Sequence, residues 1–141
     1  MSITHIALAW PIAAVVFLAL DAVWLTAMAD RLYRPAIGHL MTERFLMAPA
    51  ALFYVIYISG IVLFAIAPAL QSRRPLTALL LGAALGLLAY ATFDLTNQAT
   101  LKGWPWHVTV ADLCWGAFVT GMAAWAATHG SLWVGGLLGK N

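Results

Sequence analysis

Apolar residues gather along the chain in four long blocks, 6–28, 46–70, 76–98 and 106–128, and each block holds at most one charged residue. Every block reaches the length of about 20 residues that a helix needs to cross the hydrocarbon of a bilayer. A lipid environment requires each backbone polar group to be bonded within its own segment, and no alternating strand pattern competes, so the blocks predict helices. The connections at 71–75 and 102–105 are short, which makes consecutive helices antiparallel neighbours. The expected fold is an all-α integral membrane four-helix bundle of up-down topology, one transmembrane domain with both termini on the same side.

Two stretches depart from that pattern. Between the first two blocks, Arg31, Arg34, Glu43 and Arg44 alternate with Leu32, Tyr33, Ile37, Leu40, Met41 and Phe45. Such a mixture suits a short interfacial segment, helical after Pro35, with its apolar side buried and its charges at the headgroups; a solvated loop fits it equally. At the other end Gly130 interrupts the last block, so residues 131–139 are expected to lie at the interface or fray.

Composition narrows the class further. Hydrophobic residues make up 64% of the 141 and charged ones 9%, far from the roughly 25% charged of soluble domains. The mean hydropathy is +0.91. Seven scattered Lys and Arg give a net charge of +2 but no basic run, which excludes a nucleic-acid partner. Cys114 is the one cysteine, so no disulfide framework or paired-cysteine redox motif can form within the chain. Residues 1–10 contain no Lys or Arg, and the first block carries Asp21, so it reads as a retained span and not a cleaved signal. Arg73, Arg74 and Lys140 on one side nearly balance Arg31, Arg34, Arg44 and Lys102 on the other, so the positive-inside rule assigns no orientation.

The chemistry is concentrated in three intramembrane aspartates, Asp21, Asp94 and Asp112. Each costs about 3 kcal/mol at the centre of a lone helix, so such residues normally face the protein interior and mark function. Counted from the same face, all three lie roughly 10 Å deep at 1.5 Å of rise per residue. Helical spacing extends the site: Gly82, Gly86, Tyr90, Asp94 and Gln98 form one i+4 stripe with Asn97 beside it, and Thr109, Asp112, Trp115, Gly116 and Thr120 form another. Asp21-x-x-Trp24 recurs as Asp112-x-x-Trp115, each indole N–H one turn from a carboxylate to which it can donate. The candidate ligand-binding set is therefore Asp21, Trp24, Tyr90, Asp94, Asn97, Gln98, His107, Asp112 and Trp115, with the three aspartates as the catalytic candidates. Converging carboxylates cannot all be ionised cheaply, which suits a proton store, an acid–base pair or a cation site. The alternative is that each aspartate hydrogen-bonds a neighbouring helix and fixes the packing. His107, Asp94 and Asp112 could supply metal ligands, but no His-x-x-His or Glu-x-x-His pair supports them, and no cofactor is specified. His39 falls near the same face; His5 and His129 are expected in water at the opposite face. Trp10, Tyr33, Trp104 and Trp106 read as interfacial anchors.

Thr92-Phe-Asp-Leu-Thr-Asn-Gln-Ala-Thr-Leu-Lys-Gly-Trp-Pro105, followed by Asp112-Leu-Cys-Trp-Gly116, resembles the signature of a family of small four-span predicted bacterial membrane proteins catalogued as a domain of unknown function. Leu20-Asp-Ala-Val-Trp-Leu25, Gly38-His-Leu-Met41 and Pro49-Ala-Ala-Leu-Phe-Tyr54 are similar to its other blocks. The resemblance implies a bacterial inner-membrane protein and carries no activity or site assignment. Three readings follow from the residues. One is binding or proton-coupled transport of a small amphipathic or lipid-derived ligand. The second is a membrane enzyme of lipid or isoprenoid modification using the aspartates with His107. The third is an accessory subunit of a larger complex. The expected partners are the bilayer and such a ligand; the Gly-x-x-x-Gly pair Gly82 and Gly86 is expected to serve contacts within the bundle, with a second copy of the chain as the alternative.

Overall fold

The computed structural model describes residues 3–139 and contains four helical spans long and apolar enough to cross a membrane, Ile3–Leu40, Met47–Ser72, Pro75–Thr100 and Trp106–Leu137. Lys140, counted above in the charge balance, lies outside the described residues. The first span is α1 (Ile3–Met28), a π-helical turn (Ala29–Tyr33), the short α2 (Arg34–Ile37) and a 3₁₀ turn (Gly38–Leu40). The second is α3 (Met47–Ile61), a second π turn (Val62–Ile66) and α4 (Ala67–Ser72), and the third and fourth are single helices, α5 (Pro75–Thr100) and α6 (Trp106–Leu137). Among the described residues there is no strand. The architecture is an all-α four-helix membrane bundle.

Both π turns have the same local cause. A proline inside a helix lacks an N–H and its ring crowds the carbonyl four residues earlier. Pro35 and Pro68 stand four residues after Arg31 and Phe64, and those two residues are the centres of the two π turns. Widening the helix there relieves the clash and rotates the residues that follow. In the first span this rotation changes how the segment is used: Tyr33 turns toward the bundle, whereas Arg34 turns outward and pairs with Asp30 at 2.8 Å.

Hydrocarbon supplies no hydrophobic drive between helices, so close packing of small residues and interhelical hydrogen bonds must hold the bundle. The core shared by the spans is built largely of small residues, among them buried Ala9, Ala13, Ala14, Ala123, Ala124 and Ala127, with Phe17. The contact of α5 with α6 is tight. A Cβ on Gly86 would lie 2.0 Å from the carbonyl oxygen of Gly116, and one on Gly82 would lie 2.9 Å from Ala124. Gly82 and Gly86 are thus occupied inside the chain by its own last helix, the use within the bundle expected of them, and not by a second copy.

Three expectations change. The last helix passes through Gly130 as far as Leu137 because α1 holds it there: Ser131 donates a hydrogen bond to the His5 carbonyl at 2.6 Å, and the His5 ring fills the space that a side chain at position 135 would need. His5 is consequently buried, and only His129 of that pair is exposed, stacked on Trp125. Among the four aromatic residues read as anchors, Trp106 is exposed, but Trp104 is buried and Tyr33 points inward. Trp10 is half-buried and donates to Ser59 at 3.1 Å.

The tight α5–α6 contact generates a paired prediction. Gly86→Ala should cost about 3 kcal/mol, the upper end for overpacking, because the new methyl meets backbone. Gly60→Ala meets nothing within 4 Å and should change stability by less than about 1 kcal/mol. Thermal unfolding of both variants in detergent micelles measures the difference.

Candidate functional site

The antiparallel register of α5 and α6 sets the site. Gly82 faces Ala124, Gly86 faces Gly116 and Thr120, and the Tyr90 ring lies on Gly116. At the hairpin end, Thr109 donates to Gln98 Oε1 at 3.0 Å, Gln98 Nε2 donates to the Trp104 carbonyl at 2.7 Å, and Trp104 Nε1 donates to Thr109 at 3.1 Å, a closed ring of side chains. Gly103, with φ 73°, makes the turn. The rung between Tyr90 and Gln98 is Asp94, and the residue facing it is Asp112, so the two carboxyl groups are neighbours.

The other spans bring aromatic donors to two of the three aspartates. Asp112 accepts from the Tyr33 hydroxyl, which accepts from Trp24 Nε1 at 2.8 Å. Asp21 accepts from Tyr54 at 2.7 Å and from Trp115 Nε1 at 3.2 Å. Trp24 and Trp115 stack at 4.5 Å with ring planes 8° apart. The repeated Asp-x-x-Trp units therefore cross over: the indole of the second unit serves the carboxylate of the first, and the indole of the first serves the carboxylate of the second through Tyr33. The result is one connected path, Tyr54–Asp21–Trp115–Trp24–Tyr33–Asp112, which joins the first, second and fourth spans. Separately, Tyr57 and Thr120 share a 2.9 Å hydrogen bond between the second and fourth spans.

Asp94 differs from the other two. It is fully buried, and neither carboxyl oxygen meets a hydrogen-bond donor among the described residues. An unpaired ionised carboxylate inside a protein costs several kcal/mol; Asp21 and Asp112 are met by aromatic donors, whereas Asp94 has only the Asp112 carboxyl beside it. The free side of this region is a cleft of about 290 Å³ lined by Phe53, Tyr57, Ala89, Tyr90 and Phe93. It forms because the second and third spans pack together at Val62–Ile66 and part above it. Tyr90 belongs to both regions: it walls the cleft and stands one turn from Asp94 on the same face of α5.

The remaining sequence candidates fall outside this core. Gln98 serves the hairpin ring, Asn97 is half-buried with its carbonyl capping the end of α5, and His107 and His39 are exposed. Among the described residues no three His, Cys, Asp or Glu side chains come together as a metal site.

A family model described as Predicted membrane protein (DUF2177) matches residues 6–129. The chain belongs to that family. No match is found among curated proteins or solved structures. In this DUF2177 protein the matched stretch contains the whole aspartate network, from Asp21 to Trp115.

Sequence reasoning missed Tyr33, Tyr54 and Tyr57 as site residues. The available signal for Tyr33 was Pro35, whose ring forces the turn that faces the tyrosine inward. Tyr54 and Tyr57 lie on one face of α3, three residues apart, on a span with no charged residue to attract attention.

If the aromatic donors stabilise the aspartates, Tyr54→Phe should lower stability by about 1–3 kcal/mol by leaving a buried acceptor short of a partner. Tyr54→Phe in an Asp21→Asn background should cost less, because the Tyr54–carboxyl hydrogen bond is already removed there. A double-mutant cycle of thermal melts in micelles reads the coupling.

Proposed function

We propose that this DUF2177 protein binds a small amphipathic or lipid-derived ligand that enters sideways from the bilayer, and that binding or transport of the ligand is coupled to a proton. The observation that carries this reading is the orphaned, fully buried Asp94 beside Asp112, one helical turn from a lipid-accessible aromatic cleft. An apolar chain or ring suits Phe53, Ala89 and Phe93, and the polar end would lie at Tyr90, one turn of α5 from Asp94. Intramembrane carboxyl groups that lack a protein partner are the usual place for protons and polar cargo to be handled.

Membrane enzyme chemistry would use the same pair as general acid and base. Substrate and bound ligand alike would reach the enclosed pair from the cleft past Tyr90, so the geometry favours neither, and binding is the simpler use of it. We assign the protein to the bacterial inner membrane, on the family resemblance, with both termini on one side, on the even number of spans.

Ala89→Trp tests the cleft without touching a carboxylate. Native mass spectrometry of the gently purified wild type should show a bound amphipathic species; the indole should fill most of the cleft, abolish that species, and shift the melting temperature by no more than a few degrees. Retention of the same bound species by the folded variant would remove the cleft from the account.

A further inference from the structure

The charges around the site restrict what can complete it. Asp94 on α5 and Asp112 on α6 are faced by Tyr33 and Asp21 from the first span, by Tyr90 from α5 and, through Tyr90, by Tyr57 from the second span. None of these is cationic. The one salt bridge among the described residues, Arg34–Asp30, lies at the exposed end of the first span, and the four histidines are elsewhere. Donor arithmetic then assigns the pair: Asp112 already accepts from Tyr33, whereas Asp94 receives nothing, so a single proton carried by Asp94 and donated to Asp112 satisfies both groups.

We infer that the Asp94–Asp112 pair is an exchange site at which a lipophilic organic cation, an amine or quaternary ammonium with an apolar tail, replaces that proton. The inference rests on the cleft reading above and names its ligand class. In the resting state the pair is one carboxylic acid and one carboxylate; with the cation bound it is two carboxylates and one ammonium. One cation enters and one proton leaves, no bond other than the O–H is broken, and the net charge of the site is the same before and after. That equality allows both states to exist in a low-dielectric interior, where a change of one charge would cost several kcal/mol. The aromatic lining adds to the selection, since tyrosine and phenylalanine faces attract a poorly hydrated cation and the tail occupies the apolar cleft.

The test uses the full chain in nanodiscs of zwitterionic lipid, with decyltrimethylammonium as the cation and decanol as its uncharged counterpart, and empty nanodiscs as the blank. Calorimetric titration in two buffers of different ionisation enthalpy counts the protons released. The expected result is one proton released per ammonium bound, with the apparent Kd rising about tenfold for each pH unit of acidification, and at least tenfold weaker binding of decanol. Asp94→Asn, whose amide can still donate to Asp112, should remain folded and lose both the proton release and the pH dependence. If that variant does not fold, the wild-type comparison of ammonium with decanol remains decisive. Equal binding of both probes without proton release would overturn the exchange site while leaving the cleft as a lipid site. Binding of neither would overturn the exchange site and the cleft reading together.

Discussion

A carboxyl group held inside a bilayer has to be met by a hydrogen-bond donor, a proton or a cation, and the internal organisation of this protein follows from how three such groups are met. Asp21 and Asp112 are supplied by donors from other spans, and because those donors are tyrosine and tryptophan they bring large apolar surfaces with them. Each interaction therefore fixes a helix position and packs it at once. Two hydrogen bonds to Asp21 and the stack of Trp24 on Trp115 tie the first span to the second and fourth, where Leu-rich surfaces in lipid would have no reason to prefer each other. The third span is held differently, by glycines and the Trp104–Thr109–Gln98 ring, and it carries the one carboxyl group that the protein does not supply.

The three carboxyl groups are thus held in two different ways within one cluster of similar residues. The hairpin of the third and fourth spans is rigid because its backbones nearly touch at Gly86 and Gly116. That close contact holds Asp94 against Asp112 with no third side chain donating to Asp94. The second span is looser on the same side: it packs closely at one end and leaves the aromatic cleft at the other. A rigid wall that keeps two carboxyl groups together and a neighbouring opening toward lipid are what a site for an amphipathic guest requires.

Much of this was legible in the residues, and the parts that were not have identifiable reasons. Four apolar blocks define four spans because hydrocarbon leaves the backbone no alternative to the helix. The stripe from Gly82 through Asp94 to Gln98 pointed correctly at one face, since i+4 spacing survives folding unchanged. Periodicity within one helix cannot say which other helix meets it, so the seating of Gly82 and Gly86 on α6 and the crossed pairing of the two Asp-x-x-Trp units emerged only from the assembled bundle. Tyr33 was masked by its charged neighbours Arg31 and Arg34, and its inward direction depends on a π turn that breaks the ordinary period. Gly130 looked like an end because glycine weakens an isolated helix, but the packing of α1 against α6 outweighs that local preference.

Infrared difference spectroscopy tests the central claim most directly, because a protonated carboxylic acid has a C=O stretch distinct from that of a carboxylate. In the wild-type protein at neutral pH the account predicts such a band inside the membrane domain, lost in Asp94→Asn and retained in Asp21→Asn. Absence of the band in the wild type, or its loss on changing Asp21 with Asp94 intact, would contradict a proton held between Asp94 and Asp112.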